Sequence, residues 1–194
     1  MIPIVILAAG MSTRFPGNKL LYNVRGKPLI TYTIESALNS RADEVIVVLG
    51  YRANEIAKVI SKYDVVLVLN PDYEKGMSYS VKRGVRAVHK WASAVIIHPA
   101  DVAFAPSIVF NQVIEEYDKS RSPIVVAAYK GEKGHPILFS RELFKEILNI
   151  SEETFGLKAV TQKYRDKTLV VETSHKEVVV DIDTVEDLKK LGLV

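Results

Sequence analysis

Short apolar runs alternate along this chain with segments whose apolar positions recur every three or four residues. Residues 2–7 read as a buried first strand, and residues 29–38 as a helix opening behind Pro28, a residue suited to a first helical turn. Further strands are expected at residues 44–49, 65–69, 94–97 and 124–128, with helices at 53–61, 77–88 and 108–117. In the helix over 77–88 the apolar stripe is Val81, Val85 and Val88. A short strand at 137–139, a helix at 142–148, strands at 169–172 and 178–182, and a last helix at 185–191 capped by Thr184 complete the pattern. Near-continuous apolar strands alternating with helices predict an α/β fold, a mostly parallel sheet covered by helices on both faces in three layers. There is no repeat, low-complexity stretch or linker, so residues 1–194 are expected to form one domain.

Composition narrows the function class without choosing it. The 194 residues suffice for one sizeable core, and 48% apolar with 25% charged residues is ordinary for a globular protein. A net charge of +3 is too small to argue for nucleic acid or membrane as a partner. No apolar run approaches the roughly 20 residues of a membrane span, and no cationic region precedes an apolar stretch at the N-terminus. Cysteine is absent, which removes disulfides, thiolate nucleophiles and cysteine metal sites together. A cytoplasmic enzyme is the expectation.

The chemistry concentrates first in Leu7-Ala8-Ala9-Gly10-Met11-Ser12-Thr13-Arg14-Phe15-Pro16-Gly17-Asn18-Lys19-Leu20, the loop leaving the first strand. Small residues let the backbone approach a ligand closely, and Arg14 and Lys19 add two cations, which suits a polyphosphate. The spacing fits neither Walker A nor G-x-G-x-x-G: six residues separate Gly10 from Gly17, and Leu20 follows the lysine. Asp101 leaves a buried strand in Ile97-His98-Pro99-Ala100-Asp101, where it suits either Mg2+ or an Asx-type cap on the next helix. Asp181 and Asp183 are expected to share one strand face, with Asp183 nearer the strand end. Such a carboxylate pair needs a cation or donors to offset it.

The pattern L-A-A-G-x-S-x-R-x-x-G-x-K-L resembles the signature loop of nucleotidyltransferases that build nucleoside-diphosphate conjugates. It is most similar to the molybdenum cofactor cytidylyltransferase and guanylyltransferase group, the MobA-like NTP transferases. The segment Asn70-Pro71-Asp72-Tyr73-Glu74-Lys75-Gly76-Met77-Ser78-Tyr79-Ser80 resembles that group's N-P-x-x-x-x-G-M-x-x-S, and Gly134-His135-Pro136 and Val180–Asp187 also match. The resemblance implies a three-layer Rossmann-like nucleotidyltransferase fold that transfers an NMP from CTP or GTP, CTP favoured, to the terminal phosphate of molybdopterin. It implies Arg14 and Lys19 as catalytic residues and Asp101 and Asp183 as Mg2+ ligands. Leu7, Ala8, Ala9, Gly10, Asn70, Gly76, Met77, Ser78 and Ser80 would bind the nucleotide, and His135 would line the acceptor pocket.

Two departures bear on this. Asp101-Val102-Ala103 lacks the family's proline two places after the aspartate, and residues 151–159 lack the G-D-x-G-A-R-like segment of cytidylyltransferases. A sugar phosphate or other small phosphomonoester is therefore the alternative acceptor. A catalytically silent nucleotide-binding regulator is the alternative from another class. In a structure, Asp101 and Asp183 should come within about 4–6 Å, near enough to share one ion. Lys19→Met should cost turnover while leaving the fold little affected.

Overall fold

The computed structural model describes residues 1–15 and 17–193; Pro16 of the first loop and Val194 lie outside the described residues. The chain runs β1 (Ile4–Ala8), a 3-10 turn at Lys19–Leu21, a small hairpin of β2 (Asn23–Val24) and β3 (Lys27–Pro28), then α1 (Leu29–Leu38). Next come β4 (Val45–Leu49), α2 (Ala53–Ile60), β5 (Val66–Leu69), α3 (Met77–Ala87), β6 (Ala94–Pro99) and α4 (Ser107–Ser120). The remainder is β7 (Ile124–Tyr129), β8 (Glu132–Ser140), α5 (Phe144–Ile147), α6 (Leu157–Lys163), β9 (Thr168–Glu172) and α7 (Val185–Lys190).

One seven-stranded sheet has the order β5-β4-β1-β6-β8-β7-β9. All pairings are parallel except those of β8, which runs antiparallel to β6 and to β7. Because successive strand residues face opposite ways, Ile4 and Ile6 join one core and Val5 the other. The first core takes Ile30, Ile34, Ile56, Ile60, Phe110 and Val113 from α1, α2 and α4. The second takes Val81, Val85, Ile147 and Val160 from α3, α5 and α6. The three expected layers are present. A third, smaller cluster unites Phe15, Val24, Leu29, Ala103, Ile182 and Leu188, docking α7 onto the first loop.

The last expected strand, at 178–182, does not form. Lys176–Val179 is a 3-10 turn, and residues 180–183 run outside any strand. Its alternating apolar pattern reflects burial instead of pairing, since Val178 enters the first core and Ile182 the third cluster. Gly134 of β8 makes the approach possible: a Cβ there would lie 2.0 Å from the Val178 carbonyl oxygen. Two other features exceed the expectation. β8 is longer than 137–139, because its first residues pair with the end of β7 across a tight Lys130-Gly131 turn with positive φ at both positions. α6 was not expected from the sequence pattern at all.

Candidate active site

In the sheet order, β1 and β6 are neighbours from which the chain proceeds to opposite edges, and such a switch point opens a crevice at the carboxyl ends of the strands. The first loop leaves β1 and Asp101 leaves β6 at that crevice. Between them lies a cleft of about 800 Å3. Leu7, Ala9, Gly10, Arg14, Lys19, Gly76, Met77, Ser80, Asp101, His135 and Asp183 all line it.

At its floor one ammonium links two carboxylates. Lys19 Nζ donates to Asp101 Oδ2 at 2.7 Å and to Asp183 Oδ1 at 2.9 Å. Those two oxygens are therefore no farther apart than the sum of these distances, inside the spacing expected for a shared ion. Arg14 Nη2 reaches the other Asp183 oxygen at 2.7 Å. Burial pulls the Lys19 pKa down, but attraction and hydrogen bonds from Asp101 and Asp183 outweigh it and leave it raised.

Local chain geometry holds these groups in place. Asn18 accepts from the Leu20 N–H at 2.9 Å and caps the turn that carries Lys19. The Ile182 N–H donates to the Asp101 carbonyl at 3.0 Å, tying the C-terminal segment beside the β6 loop. Thr184 and Asp187 form a reciprocal capping box on α7, and Asp187 also accepts the Asp183 N–H at 3.1 Å. Asp187 thus has a structural role at the start of α7.

Three residues assigned to the nucleotide by sequence lie off the cleft. Ala8 points into the first core by strand alternation. Asn70 is fully buried, donating to Ser80 Oγ at 3.0 Å and accepting the Asp72 N–H at 3.1 Å, so it builds the turn after β5. The Ser78 N–H at the start of α3 donates to Glu152 Oε1 at 2.6 Å. Glu152 belongs to the segment that departs from the family pattern, and its capping of α3, 74 positions away, leaves no local signal.

Other residues complete the cleft walls. Asp181 lines the cleft as Asp183 does; lost hydration first, then repulsion from Asp101 and Asp183, raises its pKa. Lys133, Lys158 and Thr161 line the far wall, the last two from the unforeseen α6. These three, with His135 and Asp181, also border an adjoining cavity of about 430 Å3. His135 is neutral at pH 7, since burial lowers its pKa to about 4 despite the opposing effect of Asp101 and a backbone hydrogen bond to Ile97. It stands edge-on to the buried His98, ring centroids 6.0 Å apart.

The donor set is oxygen-only and sparse. Among the described residues no group of three or more His, Cys, Asp or Glu side chains could hold an ion. Two carboxylates fit Mg2+, a cation that keeps several waters and takes its other ligands from phosphates. Among the described residues no helix is long and apolar enough to cross a membrane.

Residues 4–168 match the MobA-like NTP transferase domain. The chain belongs to the MobA-like NTP transferase family. It is 26% identical to the molybdenum cofactor cytidylyltransferase of Escherichia coli, covering 94% of this chain and 91% of that one. To a probable molybdenum cofactor guanylyltransferase of Thermococcus sibiricus it is 27% identical, covering 96% and 95%. Among solved structures, a nucleotidyl transferase from Methanothermobacter superposes with a TM-score of 0.84 at 25% identity, over 98% of this chain and 95% of that one. A Mycobacterium tuberculosis protein solved in complex with manganese superposes with a TM-score of 0.78 at 25% identity, over 98% and 97%. The MobA-like match holds the first loop, Asn70–Ser80, Asp101 and His135, while Asp183 lies beyond it.

Proposed function

We propose that this MobA-like NTP transferase moves a nucleoside monophosphate from an NTP, CTP in preference to GTP, to the terminal phosphate of molybdopterin, releasing pyrophosphate. Residues 1–194 would act as one domain, in the cytoplasm. The observation that carries it is the meeting of Arg14 and Lys19 with Asp101 and Asp183 at the floor of one cleft. A phosphate acceptor is its own nucleophile: its oxygen attacks the α-phosphorus, the bond to the bridging oxygen of the β-phosphate breaks, and pyrophosphate leaves with that electron pair. The protein's task is alignment and neutralisation of developing charge.

Asp101 and Asp183 would hold Mg2+, which when bound neutralises charge on the triphosphate and polarises it. Lys19, on the cleft floor, suits the α-phosphate, and Arg14, 71% exposed at the mouth, suits the departing pyrophosphate. Lys133 and Lys158 beside the adjoining cavity suit a phosphorylated acceptor approaching from the other side.

Base choice rests on Ala9, which lines the cleft and brings a methyl where glycine would leave open space. A pyrimidine demands less room there than guanine. CTP is therefore expected to exceed GTP by at least about tenfold in kcat/KM, roughly 1.4 kcal/mol, with Ala9→Gly improving GTP more than CTP.

The test is pyrophosphate release over CTP, GTP, ATP and UTP, each with molybdopterin and with sugar phosphates, for the parent and Ala9→Gly. Preference for GTP removes the cytidylyl assignment. Turnover with sugar phosphates alone moves the acceptor to the alternative class. Silence with every pair sinks the enzymatic reading.

A further inference from the structure

We propose that Lys19 is an exchangeable counter-ion: it occupies the Asp101–Asp183 pair until a metal–nucleotide complex arrives, then yields the carboxylates to the metal and moves onto phosphate, so that free metal is excluded. This rests on the metal-dependent reading above and adds an order of binding to it. Lys19 Nζ holds one oxygen of each carboxylate at 2.7 and 2.9 Å, with its side chain 13% exposed. An ion coordinating the same two oxygens at about 2.1 Å would stand where the ammonium stands. The two cations cannot share that place, because like charges at such range repel strongly in a partly desolvated site.

A bare divalent ion must therefore displace an ammonium that two ion pairs hold, and in the cleft Asp181 offers that ammonium one carboxylate in place of two. A triphosphate supplies a receiver carrying several charges. The Lys19 stem is unbranched and starts from a capped turn, so its end can swing between carboxylate and phosphate while its backbone stays fixed. Arg14 keeps its own hold on Asp183, whereas Asp101 has Lys19 as its ion-pair partner among the described residues. Removing Lys19 thus frees the pair for a metal.

The experiment measures Mn2+ binding by the electron paramagnetic resonance of free Mn2+, without turnover, with and without a methylene-bridged CTP analogue. The parent is expected to bind Mn2+ weakly alone and much more tightly with the analogue. Lys19→Met should bind Mn2+ alone at least about tenfold more tightly than the parent. Its melting temperature should also rise more on Mn2+ addition than the parent's does. Lys19→Gln, which retains a neutral donor for the carboxylates, is the second variant should the methionine protein fold poorly, and should shift the same way. Metal affinity unchanged in the folded variant, with analogue-dependent binding intact in the parent, overturns the exchange and leaves the metal reading standing. No Mn2+ binding by any form, analogue present, overturns both.

Discussion

Lys19 illustrates how a side chain singled out by its own loop acquires partners that the loop does not reveal. Its position after a glycine-rich loop pointed to phosphate, and charge was the expected contribution. Its two ion pairs were invisible, because Asp101 and Asp183 lie 82 and 164 residues away. This changes what Lys19→Met should do. Turnover is still expected to fall about a hundredfold or more, the scale of one lost charged contact in a transition state. The melting temperature should now fall as well, since the variant leaves two close carboxylates without their shared cation. Steady-state pyrophosphate release and thermal unfolding check the two parts. His98 is a second residue whose weight emerges only in three dimensions. Burial first, then His135, lowers its pKa to about 3 from an ordinary 6.5, against a hydrogen bond between Nε2 and the Val102 carbonyl. Above pH 6.5 both folded and unfolded chains keep it neutral. Below 6.5 the unfolded chain takes a proton that the folded chain refuses, so stability falls as pH drops toward 3. By pH 5 this one residue should cost about 2 kcal/mol, and His98→Gln should lose that much less stability than the parent between pH 7 and pH 5. Urea unfolding at the two pH values decides it.

Elements were legible in proportion to how far their own pattern, without partners, required them. β1, β4 and β6 are apolar almost throughout, so strands buried on both faces followed from composition alone. α6 has seven residues with Val160 as its buried anchor, too little for a periodic signal, yet it supplies Lys158 and Thr161 to the cleft wall. Residues 178–182 misled in the opposite sense, because Val178 and Ile182 are buried and Val180 half-buried although no ladder forms. α3 carries a testable compromise at Gly84, where a Cβ would lie 2.3 Å from Val5 Cγ1 on β1. Helix propensity alone favours alanine over glycine by about 1 kcal/mol. Overpacking against a central strand costs about 1–3 kcal/mol, and β1 is held on both sides by β4 and β6. Gly84→Ala is therefore expected to destabilise the protein by up to about 2 kcal/mol, where the same change on an exposed helix face would stabilise it. Denaturant midpoints with unchanged m-values provide the measurement.

For the whole molecule, the alternation of strands and helices announced a layered sheet, whereas strand order could not be read from it. The order matters more for the site, since β1 and β6 become neighbours only through three crossover connections and β8 then reverses direction. Asp183 depends on the most distant arrangement of all, the docking of α7 through Leu188 against Phe15 and Ile182. Leu188→Ala should loosen that dock at a cost of about 2–3 kcal/mol. Turnover is expected to fall more than tenfold while the far-ultraviolet circular dichroism of the sheet is unchanged at 25 °C. A proportionate loss of both signals would tie Leu188 to general stability instead.

The link between Lys19 and Asp183 spans 164 positions. Closing so long a loop comes late, because its entropy cost is met only after nearer contacts are made. A refolding chain would then acquire its sheet first and its triphosphate-handling machinery last. Recovery of activity should lag recovery of secondary structure, and a half-folded intermediate would be harmless to the cell's nucleotide pool.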